Sequence, residues 1–190
     1  MKTLIKKLRI KKWLKKYYIK NYIINNKVEI DVNGDVNLSG CDLTELPHYI
    51  QFGTIKGGFS CVFNQLTTLR GMPREVSKHF DCSNNKLISL EGAPEKVGGS
   101  FYCLYNNLTI LKGSPREVCG NFNCHYNNLT SLEGSPEKVG ESFNCSFNYL
   151  TSLDGAPNEV GGWFDCSFNK TKFTKEDVRK VCKVGKSIFV

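Results

Sequence analysis

Six cysteines recur at a fixed interval of 21 residues along this chain. A phenylalanine precedes each of them by two positions, which gives the pairs Phe59/Cys61, Phe80/Cys82, Phe101/Cys103, Phe122/Cys124, Phe143/Cys145 and Phe164/Cys166. A constant period of this size is typical of repeat solenoids, in which one short unit stacks on its neighbours. The repeat therefore predicts an elongated stack of coils that share one continuous core.

One unit reads F-x-C-x-x-N-x-L-T-x-L-x-G-x-P-x-x-V, as in residues 101–118. The alternation around Tyr102 predicts a short strand with Phe101 and Cys103 pointing inward. The glycine and proline then change the direction of the chain. Eight strands are expected, beginning at Val36, Phe59, Phe80, Phe101, Phe122, Phe143, Phe164 and Ile188. The asparagine of the unit predicts a buried ladder that satisfies backbone groups at each turn, formed by Asn64, Asn85, Asn106, Asn127, Asn148 and Asn169.

This spacing resembles the leucine-rich repeat, L-x-x-L-x-L-x-x-N/C-x-L, with Phe and Cys in two leucine positions. The short unit is similar to the bacterial type found in secreted effectors and phage-encoded proteins, and residues 36–39 and 43–47 resemble the opening unit of the phage proteins. The resemblance implies a right-handed coil with a parallel β-sheet on its concave face and a convex side of mostly loops and turns. Because the family binds many unrelated partners, the resemblance says little about activity.

Nine cysteines raise the possibility of a disulfide framework or a metal site. Side chains that point the same way on stacked strands leave the Cβ atoms too far apart for a relaxed disulfide. No C-x-x-C pair is present, so neither zinc nor another cofactor is expected. We interpret the repeat cysteines as buried free thiols, which indicates a reducing compartment and hence a cytoplasmic protein, in the host bacterium if phage-encoded.

Positive charge is concentrated at the start of the chain, where ten lysines and arginines precede the first acidic residue, Glu29. Ile10, Trp13, Leu14 and Tyr17 follow helical spacing and predict an amphipathic helix. A second apolar stripe is formed by Met1, Leu4, Ile5 and Leu8. Candidate anion-binding residues are Lys6, Lys7, Arg9, Lys11, Lys12, Lys15 and Lys16. The segment is interpreted first as a cap on the stack, then as a nucleic-acid arm within residues 2–20; a membrane-surface helix ranks below both, and an acidic protein surface is a further alternative.

Four segments are expected. Residues 1–26 form the basic helix, 27–58 a hairpin with the first coil, 59–169 the repeats and 170–190 a C-terminal cap. The dipeptide Asn33-Gly34 predicts a hairpin turn that pairs residues 27–32 with residues 36–38. Thr174 predicts the N-cap of a short helix with Val178, Val181 and Cys182 on its apolar face, followed by a last strand from Ile188.

A partner-binding surface is predicted on the concave face, where outward positions carry aromatic residues. The candidate residues are Tyr102, Leu104, Tyr105, Asn123, His125, Tyr126, Phe147 and Trp163. No catalytic residues are assigned, because His125 and Cys124 are adjacent in a strand and point to opposite faces. We expect a non-enzymatic protein–protein interaction module, and a phage-encoded inhibitor or decoy of a host protein is the setting that the resemblance suggests. The alternative is a nucleic-acid-binding protein that uses the lysine-rich helix.

Overall fold

The chain folds as a parallel β-solenoid of about eight turns in the computed structural model, which describes residues 2–190. Two helices flank many short strands. The elements are α1 (Lys2–Lys16), β1 (Tyr22–Ile24), β2 (Ile30–Val32), β3 (Val36–Asn37), β4 (Phe52–Ile55), β5 (Phe59–Ser60), β6 (Glu75–Val76), β7 (Phe80–Asp81), β8 (Lys96–Val97), β9 (Phe101–Tyr102), β10 (Glu117–Val118), β11 (Phe122–Asn123), β12 (Lys138–Val139), β13 (Phe143–Asn144), β14 (Glu159–Val160), β15 (Phe164–Asp165), α2 (Lys175–Val181), β16 (Lys183–Val184) and β17 (Ile188–Phe189).

The phenylalanines of the repeat build an eight-stranded parallel sheet in the order β3-β5-β7-β9-β11-β13-β15-β17. Equivalent positions pair between neighbouring coils, so Phe101 lies opposite Phe122 and Tyr102 opposite Asn123. From Phe59 to Phe164, consecutive buried rings lie 5.1–5.7 Å apart between centroids. The predicted count of eight strands and their starting residues is therefore confirmed.

A second sheet of nine strands has the order β1-β2-β4-β6-β8-β10-β12-β14-β16, and each of its repeat strands ends four residues before the next strand of the phenylalanine sheet. The sequence does not predict this sheet, but each repeat coil contributes only two residues to it, and loops and turns make up most of the coil outside the two sheets. Each two-residue repeat strand directs a valine into the core and a charged side chain to solvent, as in Lys138 and Val139. Because all repeat coils have the same length, the backbone groups beside the valines come into register and pair.

The N-terminal hairpin lies one strand earlier than predicted. β1 pairs antiparallel with β2, whereas Val36 pairs in parallel with Phe59 in the other sheet. The hairpin predicted at Asn33-Gly34 is therefore wrong, because β3 serves as the first strand of the phenylalanine sheet. The loop between β1 and β2 is closed by Asn25, whose Oδ1 accepts hydrogen bonds from the two backbone amides of Lys27 and Glu29 at 3.0 Å.

Helix α1 lies against the first coils through the buried side chains of Ile10, Trp13 and Leu14. The Trp13 ring is 6.2 Å from the ring of Phe52. The helix ends at Lys16, and the later part of segment 1–26 supplies β1 rather than further helix. Met1, assigned to the second apolar stripe, lies outside the described residues. Within residues 2–190, no helix combines the length and apolar character needed to cross a membrane.

The C-terminal helix begins as predicted. The Thr174 hydroxyl accepts a hydrogen bond from the Asp177 amide, and the Asp177 carboxylate accepts one from the Thr174 amide, which forms a capping box. Val178 and Cys182 are buried as predicted, but Val181 is 38% exposed, so its assignment to the apolar face is wrong. The chain then adds β16 and β17 to the two sheets.

Free thiols form a column inside the solenoid, as the sequence predicts. The six repeat cysteines are unbridged and buried. Each Sγ lies 3.3–3.7 Å from a backbone carbonyl oxygen of the following coil. Burial raises the pKa of the Cys166 thiol to about 12 and that of the Cys124 thiol further still. These thiols therefore act as small apolar side chains.

The predicted asparagine ladder is also confirmed. Asn106 Oδ1 accepts a hydrogen bond from the Leu87 amide at 3.0 Å, and its Nδ2 donates to the carbonyls of Cys82 and Cys103 at 3.1 and 3.2 Å. The equivalent asparagines repeat this pattern in the neighbouring coils. Each amide thus satisfies buried backbone groups of two coils.

Candidate binding surface

Aromatic side chains form a stacked column at the end of the strands of the phenylalanine sheet. The column occupies the second position after each repeat cysteine, and its members are Phe63, Asn84, Tyr105, Tyr126, Phe147 and Phe168. The last four, which we call the aromatic ladder, have ring centroids 4.4–4.6 Å apart and nearly parallel planes. Between 37% and 71% of each ladder residue is exposed to solvent. The ladder is therefore an accessible aromatic surface held at the spacing of the coils.

The ladder residues adopt a backbone conformation that aromatic residues rarely occupy. Their φ angles lie between 51° and 54°, in the left-handed region. Asn84 has the same conformation, with φ 54°, and asparagine tolerates it better than larger side chains do. The turn that follows each strand has this backbone in every coil, so an aromatic residue at the position carries a conformational cost.

An open groove of about 570 Å³ runs beside the ladder. Asn107, Asn128 and Tyr149 line its other side, at the position just before the first leucine of each unit. The sequence analysis did not single out these three residues. Their column in the repeat could have identified them, because Asn107, Asn128 and Tyr149 are uncharged between Lys86 and Lys170 of the same column.

His125 lies against the middle of the ladder. Its Nδ1 is 2.6 Å from Asn123 Oδ1, and its ring contacts Tyr105 and Tyr126 edge-on at 5.5 and 5.1 Å. Burial lowers the pKa of His125, while the nearby negative charge of Asp165 acts in the opposite direction. The structure thus brings together Tyr105, Asn123, His125, Tyr126 and, through the ladder, Phe147.

Of the other predicted surface residues, Tyr102 pairs with Asn123 across the sheet, Leu104 is next to His125 in its column, and Trp163 lies farther along the coils. Tyr102 is half-buried and lines a separate depression with His79 and Asp81. Leu104 is half-buried in the column of His125, one coil earlier. Trp163 immediately precedes β15, and its ring centroid lies 6.0 Å from that of Phe189.

Potential catalytic and metal-binding groups are dispersed over the described residues. Cys124 lies in the core while the neighbouring His125 faces outward, as the strand alternation predicts. Within residues 2–190, no group of three or more His, Cys, Asp or Glu side chains is placed to hold a metal ion. Comparison with protein-family models and with curated proteins finds no match to this sequence.

The predicted anion-binding residues lie along α1. Lys11, Lys12, Lys15 and Lys16 are exposed, as is Arg9, whose guanidinium carbon lies 4.3 Å from the centre of the Tyr49 ring. Lys6 and Lys7 are partly buried. Leu4, Ile5 and Leu8 are 54–64% exposed on the same helix. The docked helix therefore presents both charge and apolar surface to solvent.

Proposed function

We propose that this protein is a non-enzymatic binding module that engages a partner protein through the aromatic ladder and the polar residues beside it. The observation that carries the proposal is the stack of four exposed rings from Tyr105 to Phe168. Aromatic side chains supply much of the binding energy of protein interfaces, because they bury a large area with few rotatable bonds.

The backbone conformation supports a role for the rings beyond folding. Holding a bulky residue in the left-handed region costs about 1–3 kcal/mol. Stacking returns about 0.5–1.5 kcal/mol for each pair of rings, so the fold gains little from an aromatic residue there. Asn84 occupies the position in the third coil without a ring. We infer that the surface which the rings present accounts for their use in four successive coils.

The chemistry of the groove favours a macromolecular partner. Small-molecule pockets enclose most of their ligand, whereas this groove is open along the coils. Its lining is uncharged, formed by aromatic rings and by amides such as those of Asn107 and Asn128. Aromatic rings are enriched and charged residues depleted at the centre of protein interfaces.

We also propose that the solenoid belongs to the leucine-rich-repeat type, with right-handed coils that are capped by α1 at one end and by α2 with β17 at the other. The unit length, the asparagine ladder and the right-handed preference of parallel crossovers support this assignment. A phage-encoded inhibitor or decoy that acts on a host protein in the bacterial cytoplasm remains our proposal for the biological setting.

The test compares proteins captured from a bacterial lysate by the wild type and by the double variant Tyr126→Ala/Phe147→Ala. The matched control is Lys96→Ala/Lys138→Ala, which alters exposed positions of the other sheet. The proposal expects a protein that the wild type and the control capture directly and that the ladder variant loses, with unchanged circular dichroism. A specific partner retained by the ladder variant, or the absence of any protein that distinguishes the variants, contradicts it.

A further inference from the structure

Helix α1 carries two apolar stripes on opposite sides, and only one of them is covered. Ile10, Trp13 and Leu14 are buried against the first coils. Leu4 and Ile5 lie four and three residues before Leu8, so the three share one side of the helix, about half a turn from the buried stripe. Their exposure of 54–64% shows that the rest of residues 2–190 leaves them largely uncovered.

Lysines extend the exposed stripe along the helix. Lys11, Lys12 and Lys15 follow Leu8 by three, four and seven residues, which places them on its side, and all three are exposed. The free side of α1 is therefore apolar in its first half and basic in its second. The sequence has no acidic residue before Glu29 that could offset this charge within the helix.

We propose that the free side of α1 binds the surface of an anionic lipid bilayer, with the helix lying parallel to the membrane. Leucine and isoleucine side chains partition into the boundary between headgroups and acyl chains, while lysines attract anionic headgroups. An anionic bilayer therefore matches both the apolar first half and the basic second half of the free side of α1. Nucleic acid would neutralise the lysines but leave Leu4, Ile5 and Leu8 in water. For that reason the exposed apolar stripe favours a membrane over nucleic acid, which reverses the ranking expected from the sequence alone.

The outward side of α1 is available to a membrane while the helix stays packed on the solenoid. Because Ile10, Trp13 and Leu14 hold the helix on the solenoid, its outward side is presented in a fixed orientation. Pre-organisation of this kind removes the cost of forming the helix at the membrane, which isolated amphipathic peptides must meet. The aromatic ladder, Tyr105 to Phe168, belongs to later coils than Phe52, against which Trp13 of α1 packs.

The experiment measures co-sedimentation of the full-length protein with vesicles of phosphatidylcholine alone and of phosphatidylcholine mixed with phosphatidylglycerol. Wild type should bind the mixed vesicles and not the neutral ones. Lys11→Gln/Lys12→Gln/Lys15→Gln should weaken binding on the order of a hundredfold, since each lysine contributes about fivefold. Leu4→Ser/Ile5→Ser/Leu8→Ser should weaken it by roughly tenfold for each residue. The matched control Lys170→Gln/Lys172→Gln/Lys186→Gln removes three other exposed lysines and should bind as wild type does.

The outcomes separate the membrane from other anionic partners. Absence of wild-type binding to the mixed vesicles overturns the proposal, as does binding that the apolar variant retains. A duplex DNA oligonucleotide is tested in parallel. Binding of DNA that depends on the three lysines, is indifferent to the apolar variant and occurs without vesicle binding assigns the helix to nucleic acid instead. All variants change exposed positions, and circular dichroism verifies that each remains folded.

Discussion

The side-chain oxygen of Asn106 accepts a hydrogen bond from the backbone amide of Leu87, which lies in the preceding coil, at 3.0 Å. The same side chain donates to carbonyl groups of two coils, so a single amide group ties successive turns of the solenoid together. Stacked coils depend on such contacts because each unit alone buries too little apolar surface to offset its conformational entropy.

Replacing Asn106 with alanine should lower the free energy of unfolding by about 1–3 kcal/mol, because it leaves buried backbone groups without partners. Urea denaturation followed by circular dichroism measures the change. Asn107→Ala is the matched control, since Asn107 is the exposed neighbour and its loss should change stability by less than about 0.5 kcal/mol. Equal stability of the two variants would contradict the structural role of the ladder.

Thiol reactivity should distinguish Cys119 from the repeat cysteines. All nine cysteines are free and lie within residues 2–190; among them Cys119 is exposed, Cys41 is half-buried and the other seven are buried. Reaction of the native protein with a chromogenic disulfide should therefore show a fast phase of about one thiol and a slower phase from Cys41, and the buried thiols should react only after denaturation. The substitution Cys119→Ser should remove the fast phase, whereas Cys103→Ala should leave it unchanged. Fast reaction of several repeat cysteines would show that the core is open.

The sequence predicts the phenylalanine sheet well, because its signal repeats six times in one register. Phe-x-Cys alternation identifies the inward side chains, and the fixed period specifies which residues become neighbours, such as Phe101 and Phe122. The same period predicts the buried asparagine, because an amide that recurs beside the turn of every coil can bond the backbone groups of that turn.

Other features carry weaker signals. Two-residue strands such as Lys138–Val139 are too short for alternation to indicate a strand. The sequence of a single coil therefore does not predict the second sheet, which forms only by pairing between stacked coils. The Asn33-Gly34 turn signal is local, and parallel pairing of β3 with β5 overrides it. The left-handed backbone of Tyr126 runs against its residue type, so the repeat gives the position of the ladder but not its conformation.

The cost of the left-handed backbone should be visible where a ring has no stacked neighbour. Phe63 stands between Gly40 and Asn84 in the column, and it is 67% exposed. The substitution Phe63→Asn should therefore raise the free energy of unfolding by about 1 kcal/mol through relief of strain. Tyr126→Asn also relieves strain but loses stacking on both faces, about 0.5–1.5 kcal/mol for each pair, so it should be neutral or destabilising.

Urea denaturation of the two variants beside wild type provides the comparison. Destabilisation by Phe63→Asn of the same size as that by Tyr126→Asn would show that the left-handed position imposes no cost on an aromatic residue. The pair thus separates strain from stacking, since both substitutions introduce the residue that Asn84 supplies naturally at this position.

His125 should make stability depend on pH. Burial lowers its pKa in the folded state below the ordinary value of 6.5, so the unfolded chain binds the proton more tightly. Above pH 6.5 both states are neutral at this residue; as the pH falls through 6.5 towards the lowered pKa, the unfolded state gains a proton first and stability falls. The substitution His125→Gln should flatten this part of the stability profile, measured by urea denaturation between about pH 7.5 and 5.

His48→Gln, which removes an exposed histidine away from the ladder, should retain the wild-type slope. A wild-type slope in His125→Gln would assign the pH dependence to other groups.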